Sequence, residues 1–225
     1  MPRQTNQTKS NPSFAREAPV DCRLCPRLAA FRDESGDANP DWFNGAVPSF
    51  GPDNARLLIV GLAPGLKGAN RTGRPFTGDY AGDLLYATLD EFGFSKGQYA
   101  KTANDGLKLR DCMITNAVRC VPPQNKPTPE EIKTCRGFFQ ARISALPNLK
   151  VLLALGRIAH DQTLATFGLR KASYPFAHGA AHELMDGLTM FDSFHCSRYN
   201  TNTGRLTEDM FRSVFADIQK HLERK

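Results

Sequence analysis

Four of the six cysteines fall into two pairs whose spacing suits a shared metal centre. "DCRLC" sets Cys22 and Cys25 three positions apart, close enough for two thiolates to reach one site. "RCVPPQNKPTPEEIKTC" supplies Cys120 and Cys135, joined by a proline-rich loop and a helical turn or two. Four thiolates can hold zinc or a cubane iron–sulfur cluster, and the spacing does not separate these. The plainer alternative is a set of unrelated buried thiols. A disulfide framework is not expected in a reducing compartment. A second feature poses a different question. "GLAPGLKGANRTGRPFTGD" (61–79) follows the apolar "ARLLIV", yet holds no Ser, Cys, His or acid between Gly61 and Asn70.

These residues need a frame to bring them together. "RLLIV" (56–60), "CMITNAV" (112–118) and "VLLALG" (151–156) read as buried strands, and "LTMFDSFH" (188–195) as a further, alternating one. Between them run helical patterns at 83–94, 128–146 and 157–168. The second opens with a capping box from Thr128 to Glu131 and carries Pro129 at its first position. A last helix from about Glu208 places Met210, Phe211, Val214, Phe215, Ile218 and Leu222 on one stripe. Strands alternating with helices predict a three-layer α/β/α domain on a mainly parallel sheet. Ligands bind such sheets beyond the carboxyl ends of the strands. The loops at Gly61, Asn116 and His195 all leave from that end.

The chain of 225 residues, 40% hydrophobic, suffices for one domain. Residues 1–18 read as a disordered basic tail and 19–225 as the single domain. No apolar run is long enough to span a membrane, and the polar N-terminus lacks the apolar middle of a signal peptide. A cytoplasmic protein is therefore expected. The formal charge of +6 suits a polyanionic partner such as nucleic acid.

Five motifs in order, "DCRLCPRL", "GLAPG" with "NRTGRPFTGD", "AVRCVPPQNKPTPEE", "ALGRIA" and "HCSRYNTNTGRLT", resemble the iron–sulfur uracil-DNA glycosylases, and within them the type B, or family five, branch. The resemblance covers roughly residues 20 to 215. It implies a four-stranded, mainly parallel sheet and a [4Fe–4S] cluster on Cys22, Cys25, Cys120 and Cys135. It further implies a monomer acting on DNA near the prokaryotic nucleoid, and hydrolysis of the N-glycosidic bond of uracil and other deaminated bases such as hypoxanthine and xanthine at the start of base excision repair. A strictly uracil-specific enzyme, a non-catalytic iron–sulfur DNA-binding protein and an iron–sulfur electron carrier are the rival readings.

Breaking that bond builds positive charge on the sugar and negative charge on the departing base, so useful groups oppose those charges. The nucleotide must first turn out of the duplex into a pocket. Leu62 and Ala63 are inert where the uracil-specific branch carries a polar or acidic residue, as in type B members. Gly61, Ala63 and Gly65 then offer close backbone approach and free N–H groups. The type B pattern assigns the missing carboxylate to Asp79. Its rival is Asp83, which can equally open a helix. Phe76 is the expected platform for the base, against an ordinary core phenylalanine. Asn116 offers both a donor and an acceptor to a base edge, against a strand-end Asn that bonds local backbone. Asn125 is a second edge reader, against a turn former. His195 heads the motif whose His contacts the base carbonyl in the family. Ser197 and Arg198 continue it as a polar loop suited to phosphates. Cys196 stands where the superfamily often has Pro. The relative that forms a covalent adduct through a His in an inserted basic loop is excluded, since "GLKGANRTG" has neither the His nor the insertion.

Overall fold

The computed structural model describes residues 14–185 and 187–223. A five-stranded sheet forms its centre, in the order β4-β1-β5-β7-β6: β1 is Leu57–Gly61, β4 Cys112–Asn116, β5 Val151–Leu155, β6 Ala181–Met185 and β7 Leu188–Ser193. The first four run parallel, and β6 pairs antiparallel with β7 at one edge. This is the expected three-layer α/β/α architecture, with one strand more than the four anticipated. The short "AHELM" segment alternates exposed and covered residues, as an edge strand does, and gives little signal in sequence. A two-stranded ribbon, β2 (Ser95–Lys96) with β3 (Lys108–Leu109), lies apart.

The continuous apolar strands follow from burial on both faces. Leu57 and Ile59 of β1 face one layer, with α3 (Tyr80–Glu91) and α7 (Glu208–Glu223), whose stripe of Phe211, Val214, Phe215, Ile218 and Leu222 is buried as expected. Leu58 and Val60 face the other layer, where α4 (Pro129–Ser144) and α5 (Arg157–Thr166) pack. Truncating one of these central side chains, as in Leu153→Ala, removes about 2–5 kcal/mol of stability. The capping box of α4 forms in full, Thr128 Oγ1 accepting from Glu131 N and Glu131 accepting from Thr128 N.

A third, smaller apolar cluster lies under α1 (Pro26–Ala38) and gathers Leu28, Val118, Ile132 and Phe138 around Cys120 and Cys135. Here the boundary expected at residue 18 needs correction. Residues 1–13 of the expected tail lie outside the described residues, but Phe14 meets Phe138 edge-on at 4.8 Å between ring centroids, and Ala18 is buried. Glu17 pairs with Arg119 at 3.2 Å and with Arg142. Two buried guanidinium groups need this carboxylate, which is why the packed region begins before the first cysteine pair. Among the described residues no helix is long and apolar enough to cross a membrane.

Candidate active site

The carboxyl ends of β1, β4 and β7 open into one cavity of about 580 Å³. Ala63, Gly65, Phe76, Asp79, Asn116, Asn125, His195, Ser197 and Arg198, all expected from sequence, line it together. Gly61, also expected, does not line the cavity but lies behind Phe76 and Asn116. A Cβ there would stand 2.7 Å from the Phe76 ring and closer still to Asn116 Oδ1, so the missing side chain is what lets those two groups approach. The ladder between β1 and β4 also runs past the strands. Ala117 N donates to Gly61 O and Val118 N to Leu62 O, both at 2.9 Å, which fixes the start of the acid-free loop.

That loop makes room for an acid instead of supplying one. Asp79 caps α3, its Oδ1 accepting from Gly82 N at 3.3 Å, and its other oxygen lies over Gly65 and Gly68. A Cβ at Gly65 would come within 3.1 Å of that oxygen, and one at Gly68 would collide with the carboxylate. Burial raises the Asp79 pKa, partly offset by hydrogen bonds from Gly82 and Ala81. Asp83 goes elsewhere: it sits in the first turn of α3, pairs with Lys101 at 2.9 Å and does not line the cavity.

Phe76 is 6% exposed and takes φ 53°, a left-handed conformation that an aromatic residue rarely adopts. It belongs to the core and to the cavity wall at once. Its ring stacks on His195, centroids 5.8 Å apart and planes 27° apart. Burial pushes the His195 pKa down to about 4, and no carboxylate pairs with its ring among the described residues, so the imidazole is neutral at pH 7. Asn116 is 3% exposed, and its Oδ1 has no hydrogen-bond partner. Asn116 thus holds an unused acceptor in a residue of the cavity wall. Asn125 is exposed in a 3-10 turn at φ 57°, the turn-forming role, while still reaching the cavity.

At the mouth, Ser197 caps α6 (Arg198–Asn202), accepting from Asn200 N. Arg198 lies over the Tyr80 ring at 5.3 Å, and Tyr199 beside it is 72% exposed. Cys196 is fully buried, and burial together with the Asp79 charge pushes its thiol up to about 12. Sequence reasoning passed over Leu66, Lys67 and Tyr80, which also line the cavity. Lys67 is the one basic residue in the acid-free loop, and Tyr80 directly follows the capping Asp79.

The four paired cysteines converge on the far side of the Asn116–Cys120 segment, lining one small pocket with Leu28, Val118 and Phe138. Burial raises the pKa of three of them, Cys25 to about 11, Cys120 to about 12 and Cys135 upward as well, with neighbouring thiols adding to it. The backbone N–H of Arg119 points at Cys135 Sγ, 3.3 Å away. Arg32 and Arg119, 3% and 1% exposed, flank the group and leave Arg32 Nε and Arg119 Nε and Nη2 without partners. Buried cations with spare donors suit an anionic thiolate-held group. No three of the four sulfurs lie within 4.8 Å of one another. Cys112 and Cys196 are buried elsewhere.

The family model of the uracil DNA glycosylase superfamily matches residues 48–219. The chain is 47% identical over 205 residues to a type-5 uracil-DNA glycosylase of Thermus thermophilus, covering 88% of this chain and 93% of that one. A type-5 uracil-DNA glycosylase of Mycobacterium tuberculosis is 39% identical over 207 residues, 88% of this chain and 77% of that one. A type-4 uracil-DNA glycosylase of Archaeoglobus fulgidus is 34% identical over 140 residues, 61% and 62% of the two chains. On this match, spanning every strand of the central sheet and the cavity at its end, the chain belongs to the uracil-DNA glycosylase superfamily.

Proposed function

We propose that this chain is a monofunctional DNA glycosylase that hydrolyses the N-glycosidic bond of uracil and of other deaminated bases, hypoxanthine and xanthine among them, as the first step of base excision repair. The observation that carries the reading is the placement of the Asp79 carboxylate in the same cavity as Phe76, Asn116 and His195. An extruded base lies against Phe76, and Asn116 reads its edge. The neutral His195 donates a hydrogen bond to the base carbonyl as negative charge develops there. Asp79 stands opposite, against the cationic sugar, and orients the attacking water. Water is the nucleophile, so no covalent adduct with the protein forms. A cavity of about 580 Å³, with Leu62 and Ala63 where a larger polar group could narrow it, has room for a purine as well as a pyrimidine, which favours the broad over the strictly uracil-specific reading.

Cys22, Cys25, Cys120 and Cys135 would hold a [4Fe–4S] cluster. Four thiolates beside the buried Arg32 and Arg119 suit that anionic group. When bound, the cluster would cross-link three chain segments, including the one leading from Asn116. Lys67 and Arg198 flank the cavity and meet the phosphates of a DNA substrate bound by a monomer. The test is a gel assay of purified protein on oligonucleotides carrying uracil, hypoxanthine, xanthine or a G·T mismatch. Excision of uracil and of at least one deaminated purine is expected. Cleavage of uracil alone would restrict the function to the narrow reading, and cleavage of none would leave a non-catalytic DNA-binding protein.

A further inference from the structure

Behind the cavity wall lies a buried cation that touches none of the cavity. Arg74, 4% exposed, makes two bonds of 2.7 Å to the Asp105 carboxylate, a fork-to-fork ion pair. Its Nε donates to Thr77 Oγ1 at 2.8 Å, and its guanidinium lies over the rings of Phe50, Tyr86 and Tyr99 at 5.0, 5.3 and 5.8 Å. Arg74 and Phe76 belong to the same "GRPFTGD" stretch, and the groups around Arg74 hold the backbone on either side of Phe76. Tyr86 and Thr77 hydroxyls donate to Pro75 O at 2.8 and 3.2 Å. The Tyr99 hydroxyl donates to Phe76 O at 3.3 Å and accepts from Gly78 N at 3.1 Å. Asp105 in turn accepts from Ala100 N and Leu107 N, both at 3.0 Å, so it fixes the loop that presents Tyr99.

We propose that Arg74 is a positioning residue: paired with Asp105 and seated on Tyr86 and Tyr99, it holds Phe76 in its left-handed conformation, with its ring facing His195 and Asp79 at the start of α3. A non-glycine residue at φ 53° persists only where its surroundings over-determine it. Four hydroxyl or guanidinium bonds converge on three consecutive residues here. Lysine in place of Arg74 keeps the charge but loses both the fork to Asp105 and the Nε bond to Thr77. The inference rests on reading Phe76 and Asp79 as site residues.

Three variants test it together: Arg74→Lys, Tyr99→Phe, which removes only the hydroxyl that holds Phe76 and Gly78, and Phe76→Ala as a control. Each is assayed by single-turnover uracil excision at saturating enzyme, well below its melting temperature, and by DNA affinity. Arg74→Lys and Tyr99→Phe should each slow excision about 10- to 100-fold, with DNA affinity changed less than about threefold, because misplacing a reacting group slows chemistry more than binding. Should Arg74→Lys fail to fold, Tyr99→Phe carries the decision. A slow Phe76→Ala beside wild-type rates in the two brace variants would overturn the positioning role alone. A wild-type rate in Phe76→Ala would overturn the site reading, and the brace with it.

Discussion

Phe76 and His195, 119 positions apart in the chain, stack at 5.8 Å with their planes 27° apart and form one wall of the cavity. The His195 ring owes its neutrality to that setting, since desolvation brings its pKa to about 4. Excision should therefore not decline between about pH 6 and 8, because the imidazole already donates as a neutral group. Single-turnover rates across that range check this, and a decline centred on the ordinary histidine value of about 6.5 would mean that the working form is the cation. The same shift acts on stability. The unfolded chain binds the proton first, so stability should fall as pH drops from about 6.5 towards 4. His195→Asn should flatten that slope in denaturant titrations at several pH values.

Gly61→Ala should damage the site without unfolding the sheet. The added methyl meets the Phe76 ring and Asn116 Oδ1, side chains of two residues that line the cavity. Excision should fall by at least about tenfold, with the circular dichroism spectrum unchanged. Wild-type turnover would show that the two groups yield at no consequence to chemistry.

Cluster binding should release protons. The free Cys25 and Cys120 thiols, pushed up to about 11 and about 12 by burial, are protonated at neutral pH and must ionise to bind iron. Iron loading of apoprotein should therefore strengthen with rising pH, and the loaded protein should be brown. Cys120→Ala should lose iron and stability, whereas Cys112→Ser should keep its iron. Zinc in place of iron by elemental analysis, or iron loss in Cys112→Ser, would contradict the assignment.

Arg198→Ala should weaken DNA binding and lower the salt dependence by about one counterion. Arg198 is exposed above Tyr80 at the cavity mouth, open to a phosphate of the proposed DNA substrate, and among the described residues packs on no buried one. Binding isotherms at several salt concentrations measure it. An unchanged slope would remove Arg198 from the interface.

Much of this arrangement was legible because local signals and tertiary demand agree. Continuous apolar strands, the Thr128–Glu131 box and the α7 stripe each specify an element whatever lies around them. Putting Gly61, Asn116 and His195 at strand carboxyl ends then brought their loops together. What stayed hidden depends on distant partners. β6 is an edge strand of mixed exposure that only β7 defines. Glu17 reads as tail until Arg119 and Arg142 are placed beside it. The choice between Asp79 and Asp83 turns on direction: three- and four-residue spacing along a helix does not say which acid caps it and which faces Lys101.

The central claim is that Asp79 supplies the carboxylate that "GLAPG" lacks. Asp79→Asn retains the cap on Gly82 N and the shape over Gly65 and Gly68, and removes only the charge. Single-turnover excision of uracil at saturating enzyme should slow by about two to four orders of magnitude. DNA affinity should barely change, because the sugar cation exists only near the transition state. An excision rate within a few-fold of wild type, from a variant that binds DNA normally, would contradict the account.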